Sequence, residues 1–136
     1  MTRWLVTGGA GYIGAHGVEA LLASGREAVG LDDLSRGSAD RVSAGVPLVV
    51  GTVLDRAVVD AALADHGIDG VVHLAARKAA GESVDVPLHY YRENVVGLLT
   101  VLEAMQASGV ARLVYSSSAA VYGLPEANPV VESAPL

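Results

Sequence analysis

A chain of 136 residues suits one domain around one core and is too short for two of ordinary size. Hydrophobic residues make up 51% but aromatic residues only 4%, so the core must be built from Val, Leu and Ala, as in packed parallel strands and helices. The net charge of −6 argues against nucleic acid or an anionic membrane as partner, and the lack of cysteine excludes disulfides, thiolate metal sites and a cysteine nucleophile.

The start, MTRWLVTGGAGYIG, has too short an apolar run for a secretory signal, and no stretch approaches the roughly 20 apolar residues of a membrane helix. A soluble, cytoplasmic protein is expected. In chain order, strands are predicted at Arg3 to Thr7, Ala28 to Asp32, Leu48 to Val50, Gly70 to Ala75 and Arg112 to Ser117. A first helix is predicted from Tyr12 to Ala23 with Gly25 just beyond it, and a second from the N-cap Asp55 to before Gly67. The longest helix has Pro87 near its first turn and Gly109 after its last, with Leu88, Tyr91, Val95, Leu98, Leu102 and Met105 as its apolar stripe. Ser35 to Gly45 reads as a loop with at most a turn of helix, and the chain from Gly123 onward as an extended tail. Alternating strands and helices of this kind predict an α/β fold with a parallel sheet.

The segment TGGAGYIG sets Gly8, Gly11 and Gly14 between the first strand and the first helix, and Gly9, Gly11 and Gly14 satisfy G-x-G-x-x-G. Phosphate reaches a backbone only where no Cβ intervenes, and the free N–H groups of the following helix then hold its charge. Asp32 ends the second strand, where a carboxylate accepts from both ribose hydroxyls and repels a 2′-phosphate. Asp33 adds to that repulsion, although it also suits a plain loop position. The expected cofactor is therefore NAD, with Arg36 close enough to keep NADP open. His73, within an apolar strand, and His16, near the first helix's start, read as packed or structural residues, and no metal site is predicted.

With these residues in view, the chain resembles the extended short-chain dehydrogenase/reductases that act on nucleotide sugars, the UDP-glucose 4-epimerase family above all. TGGAGYIG, LDDLSRG, HLAARKAAGES, YYRENVVG and YSSSAAVYG occur in that family's order and spacing. The resemblance implies a Rossmann-type doubly wound sheet of about five strands. It also implies that Tyr12 and Ile13 line the pyrophosphate, and that Asp32, Asp33, Ser35 and Arg36 surround the adenosine. Ala75, Ala76 and Lys78, the chain's single lysine, would border the nicotinamide ribose and pyrophosphate. Asn94 would help fix the cofactor and its helix, and Ser118 would be the catalytic hydrogen-bonding group for the sugar hydroxyl being oxidised, although serines at a strand end also suit capping.

Two departures stand out. In GTVLD the family has an acid where Thr52 stands, so adenine would meet a hydroxyl without charge, with Val53 still able to pack on the ring. The family's Tyr-x-x-x-Lys is also missing, because none of the five tyrosines is followed by lysine four positions on. The chain therefore reads as the amino-terminal, NAD-binding part of such an enzyme, one domain over residues 1–136 without the sugar-binding portion. Its fifth strand should be left partly uncovered, exposing apolar surface that favours association or a homodimer. The implied activity is NAD-dependent 4-epimerisation of a UDP-hexose, in galactose metabolism, with the chain inactive alone. The alternatives are another nucleotide-sugar enzyme, a dehydratase or decarboxylase, and a non-catalytic NAD-binding module.

Overall fold

A computed structural model describes residues 1–125 and 128–136. Five parallel strands, β1 (Arg3–Thr7), β2 (Glu27–Asp32), β3 (Leu48–Val50), β4 (Gly70–His73) and β5 (Arg112–Tyr115), form one sheet in the order β3-β2-β1-β4-β5. That order reverses direction at β1, so a crevice opens between the carboxyl ends of β1 and β4.

Helix α1 (Tyr12–Ala23) covers one face of the sheet, where Val18 joins Val6 and Ala28 in a small core. The larger core lies on the other face, where Leu5, Val29, Leu31 and Val71 of the sheet meet Val59 and Leu63 of α2 (Arg56–Asp65). Each central strand is therefore buried on both faces, which accounts for their nearly continuous apolar runs. The doubly wound arrangement expected from the sequence is the one observed. Asp55 caps α2 as predicted, its carboxylate accepting from the N–H groups of Ala57 and Val58 at 3.0 and 3.4 Å.

After β4 the chain forms α3 (Ala80–Asp85), α4 (Pro87–Tyr91), a π-helical turn (Arg92–Val96) and α5 (Gly97–Ser108). The single long helix expected between Pro87 and Gly109 is thus interrupted, and α3 was not anticipated. The predicted stripe is corrected too. Leu88, Tyr91, Val95 and Leu102 are exposed and Leu98 is half-buried, whereas Met105 is buried as expected, together with Tyr90, Thr100, Val101 and Ala104. A π turn takes up extra residues and so rotates the face that follows it. Gly97 then sits so close to the core that a Cβ there would lie 3.0 Å from Val53 Cγ2.

Strands β4 and β5 end two residues before the predicted limits. The ladders stop at Thr7, His73 and Tyr115 because β1 turns away at Gly8, and Leu74 and Ala75 lose a strand partner. The loop after β2 holds a 3₁₀ turn at Ala39–Arg41, within what the sequence allowed, and a second one spans Ala119–Tyr122. Beyond Tyr122 the described residues form no helix or strand, in line with the expected tail, of which residues 126 and 127 lie outside the described set. Edge strand β5 leaves Val114 54% and Tyr115 50% exposed, the uncovered surface anticipated there. Among the described residues no helix is long and apolar enough to cross a membrane.

Candidate functional site

A groove of about 890 Å³ runs along the carboxyl ends of the strands and is lined by every residue the resemblance implies for the cofactor or the sugar, and by Gly8, Gly11 and Gly14 of the turn, though not by Gly9 or His16. Its floor is the turn between β1 and α1. Gly8 adopts φ +71°, and a Cβ on it would lie 2.9 Å from the Ala75 nitrogen. Gly14 is more constrained still, since a Cβ there would lie 1.9 Å from the Gly8 carbonyl oxygen. The turn therefore needs glycine to bring the start of α1 against β4. Gly11 caps α1 without a side chain, and no acidic residue stands in the first turn. The first-turn N–H groups of Tyr12, Ile13 and Gly14 have no helical partner and present uncompensated positive charge to the groove.

At one end of the groove Asp32 is only 7% exposed. Its Oδ2 accepts from the Ala10 N–H at 3.0 Å and its Oδ1 from the Leu34 N–H at 2.8 Å. An ionised carboxylate offers about four acceptor sites, so two remain for a ligand's hydroxyls. Leu34 itself has φ +59°, an unfavourable conformation for a branched side chain that its bond to Asp32 helps hold. The following residues fold back onto the glycine turn, with the Ser38 N–H donating to the Ala10 carbonyl at 3.0 Å.

Asp33 serves the same loop. Its Oδ1 accepts from Ser35 N–H at 2.9 Å and Ser35 Oγ at 2.6 Å. Partial burial raises its pKa, but those two bonds and the nearby Arg77 prevail and leave it below the usual value. Arg77, which the sequence reading passed over, reaches Ser35 Oγ at 3.3 Å. Its pairing with Lys78 in HLAARKAAGES was the available signal.

Arg36, Arg41, Arg77 and Lys78 all line the groove, a local excess of cations in a chain of net charge −6. Lys78 is exposed and makes no ion pair among the described residues. Thr52 lines the far side, where its Oγ1 accepts from the Leu54 N–H at 3.2 Å. Val53 lines it too but is buried in the core against Gly97, so only its edge is available to a ring.

Below Ala75 and Ala76 lies a buried polar cluster. Thr7 Oγ1 accepts from the N–H groups of Leu74 and Ala75 at 3.2 and 3.3 Å and meets His73 Nδ1 at 2.8 Å. With both lone pairs of the hydroxyl engaged, its proton is directed at Nδ1, which places the imidazole hydrogen on Nε2. Burial lowers the His73 pKa to about 4, so the ring is neutral at pH 7. The sequence reading of His73 as a packed residue agrees with this arrangement. His16 is exposed, its ring 4.8 Å from that of Tyr12. Among the described residues no group of three or more potential metal ligands occurs.

Asn94 lies in the π turn and spends its amide on the chain rather than leaving it free. Its Oδ1 accepts from the Arg77 N–H at 2.7 Å, and its Nδ2 donates to the Arg77 carbonyl at 2.9 Å. At the opposite end of the groove Ser118 begins the last 3₁₀ turn, its Oγ accepting from the Ala120 N–H at 3.2 Å. This is the capping geometry weighed for the serines, and it leaves the Ser118 hydroxyl proton free to donate into the groove it lines.

The model of the NAD dependent epimerase/dehydratase family matches residues 4–136. A UDP-glucose 4-epimerase of Azospirillum brasilense is 47% identical across 98% of this chain and 38% of its own length. The UDP-glucose 4-epimerase of Bacillus subtilis is 47% identical across 97% of this chain and 41% of its own. Among solved structures, UDP-glucose 4-epimerase from Bifidobacterium longum in complex with NAD+ and UDP superposes with a TM-score of 0.89. It is 36% identical and covers 98% of this chain and 42% of that one. The chain thus spans about two fifths of the length of the relatives it matches.

Proposed function

Since the chain belongs to the NAD dependent epimerase/dehydratase family, we propose that its groove binds NAD and that it is the cofactor-binding part of a UDP-hexose 4-epimerase. The observation that carries this reading is the meeting of the glycine turn, Asp32, Lys78 and Ser118 in one groove at the carboxyl ends of the strands. The pyrophosphate would rest on the N–H groups of Tyr12, Ile13 and Gly14, with Lys78 as a nearby point charge. The two unused acceptor sites of Asp32 would take the adenosine ribose hydroxyls. Thr52 and Val53 would border the adenine, and Ala75 and Ala76 the nicotinamide ribose.

Bound NAD supplies the hydride acceptor and donor for transient oxidation at C4 of the sugar. Ser118, held by Ala120, would donate its free proton in a hydrogen bond to the sugar hydroxyl and so orient the carbon that loses hydride. A serine hydroxyl is too weak a base to take up the proton that the sugar hydroxyl loses as hydride leaves its carbon. One sequence feature favours a second reading, cofactor binding without turnover: no tyrosine in the 136 residues is followed by lysine four positions on. Incubating the purified chain with NAD and UDP-galactose separates the two. We expect no UDP-glucose, and turnover would show that the chain supplies its own acid/base.

A further inference from the structure

The adenosine end of the groove carries two opposed signals for the dinucleotide it accepts. Asp32 disfavours a 2′-phosphate, while Arg36, four residues on and lining the same groove, is the type of residue that binds one. Arg36 is not free to do so. Its Nη2 straddles the carboxylate of Glu82, donating to Oε1 at 3.0 Å and Oε2 at 2.9 Å.

Glu82 stands on α3, beyond β4 in sequence and outside the groove lining. Its carboxylate is anchored from behind by buried Tyr90, whose hydroxyl donates to Oε2 at 2.6 Å. That bond first, then the charges of Arg36 and Arg77, keep the Glu82 pKa below its usual value, so the carboxylate stays ionised. An ion pair this exposed adds little stability. What it changes is where the guanidinium spends its charge.

We propose that Glu82 is a specificity-determining residue: anchored by Tyr90, it occupies Arg36 and withholds that guanidinium from the 2′-phosphate of NADP. Asp32 and Glu82 then act on the same discrimination from opposite sides, one by repelling the phosphate and the other by engaging the cation that would receive it. This role rests on the reading of the groove as a dinucleotide site.

The test is calorimetric titration of the chain, E82Q and E82Q/R36A with NAD and with NADP at low salt. Glutamine can still accept from Tyr90 but no longer holds Arg36 by charge. E82Q should raise affinity for NADP relative to NAD about three- to tenfold, and E82Q/R36A should return the ratio to that of the parent. Y90F, which loosens Glu82 without removing it, should shift the ratio in the same direction by less. If E82Q proves unfolded by circular dichroism, Y90F decides by the direction of its shift. An unchanged ratio in folded E82Q, or a gain that survives in E82Q/R36A, overturns the role of Glu82 alone, provided the parent binds NAD. A parent that binds neither dinucleotide overturns the reading of the groove and the role of Glu82 with it.

Discussion

Asn94 grips the peptide of Arg77 on both sides, accepting from its N–H at 2.7 Å and donating to its carbonyl at 2.9 Å. The two residues lie seventeen apart in the chain, so this one side chain ties the π turn before α5 to the loop that carries Lys78. Asn94→Ala leaves a part-buried donor and acceptor unpaired and should cost about 1–3 kcal/mol in urea unfolding. NAD affinity should fall as well, because the Lys78 loop loses its anchor. Asn94→Asp keeps the acceptor but not the donor, and should lie between the two in stability.

Two glycines three residues apart in α1 should respond oppositely to alanine. At Gly14 a Cβ would lie 1.9 Å from a backbone oxygen, a clash no side-chain adjustment relieves, so Gly14→Ala and Gly14→Ser should disrupt the turn and abolish binding. At Gly17 a Cβ meets nothing within 4 Å, and Gly17→Ala should stabilise the helix by about 0.5–1 kcal/mol. Thermal unfolding of the two variants beside the parent checks both.

His73 makes the fold sensitive to mild acid. Its pKa is about 4 in the native chain against 6.5 unperturbed, so between those values the unfolded chain binds a proton that the native chain does not. Stability from this group is complete above about pH 6.5 and is lost progressively as pH falls toward 4, by roughly 3 kcal/mol at most. His73→Asn should be less stable at pH 7 and show a shallower decline between pH 6.5 and 4.5. An equally steep decline in that variant would place the sensitivity elsewhere.

Much of this architecture could be read along the chain because local signals and packing agree. The glycine turn, the Asp55 cap and the apolar strands each specify one conformation, and the sheet brings the predicted groove residues together. What escaped prediction depends on contacts between distant segments. The stripe of Leu88, Tyr91 and Val95 assumes an unbroken α-helical period, which the π turn at Arg92–Val96 violates. The Thr7–His73 pair spans sixty-six residues, and the Arg36–Glu82 pair forty-six. Neither partner announces the other in sequence. Arg36 read alone suggested a 2′-phosphate receptor, and only the fold reveals the carboxylate that occupies it.

In the proposed function, the β1–α1 turn holds the pyrophosphate of NAD. Calorimetric titration of the folded chain with NAD should give saturable binding at one site, and Gly11→Val should abolish it while leaving the circular dichroism spectrum unchanged. Gly11 has an ordinary φ of −75°, and a Cβ there would lie 3.1 Å from the Gly8 carbonyl oxygen, so valine asks the turn to give by a few tenths of an ångström and crowds the approach to the first-turn N–H groups. A folded parent that binds no NAD, or a Gly11→Val chain that binds it as tightly as the parent, would contradict the claim.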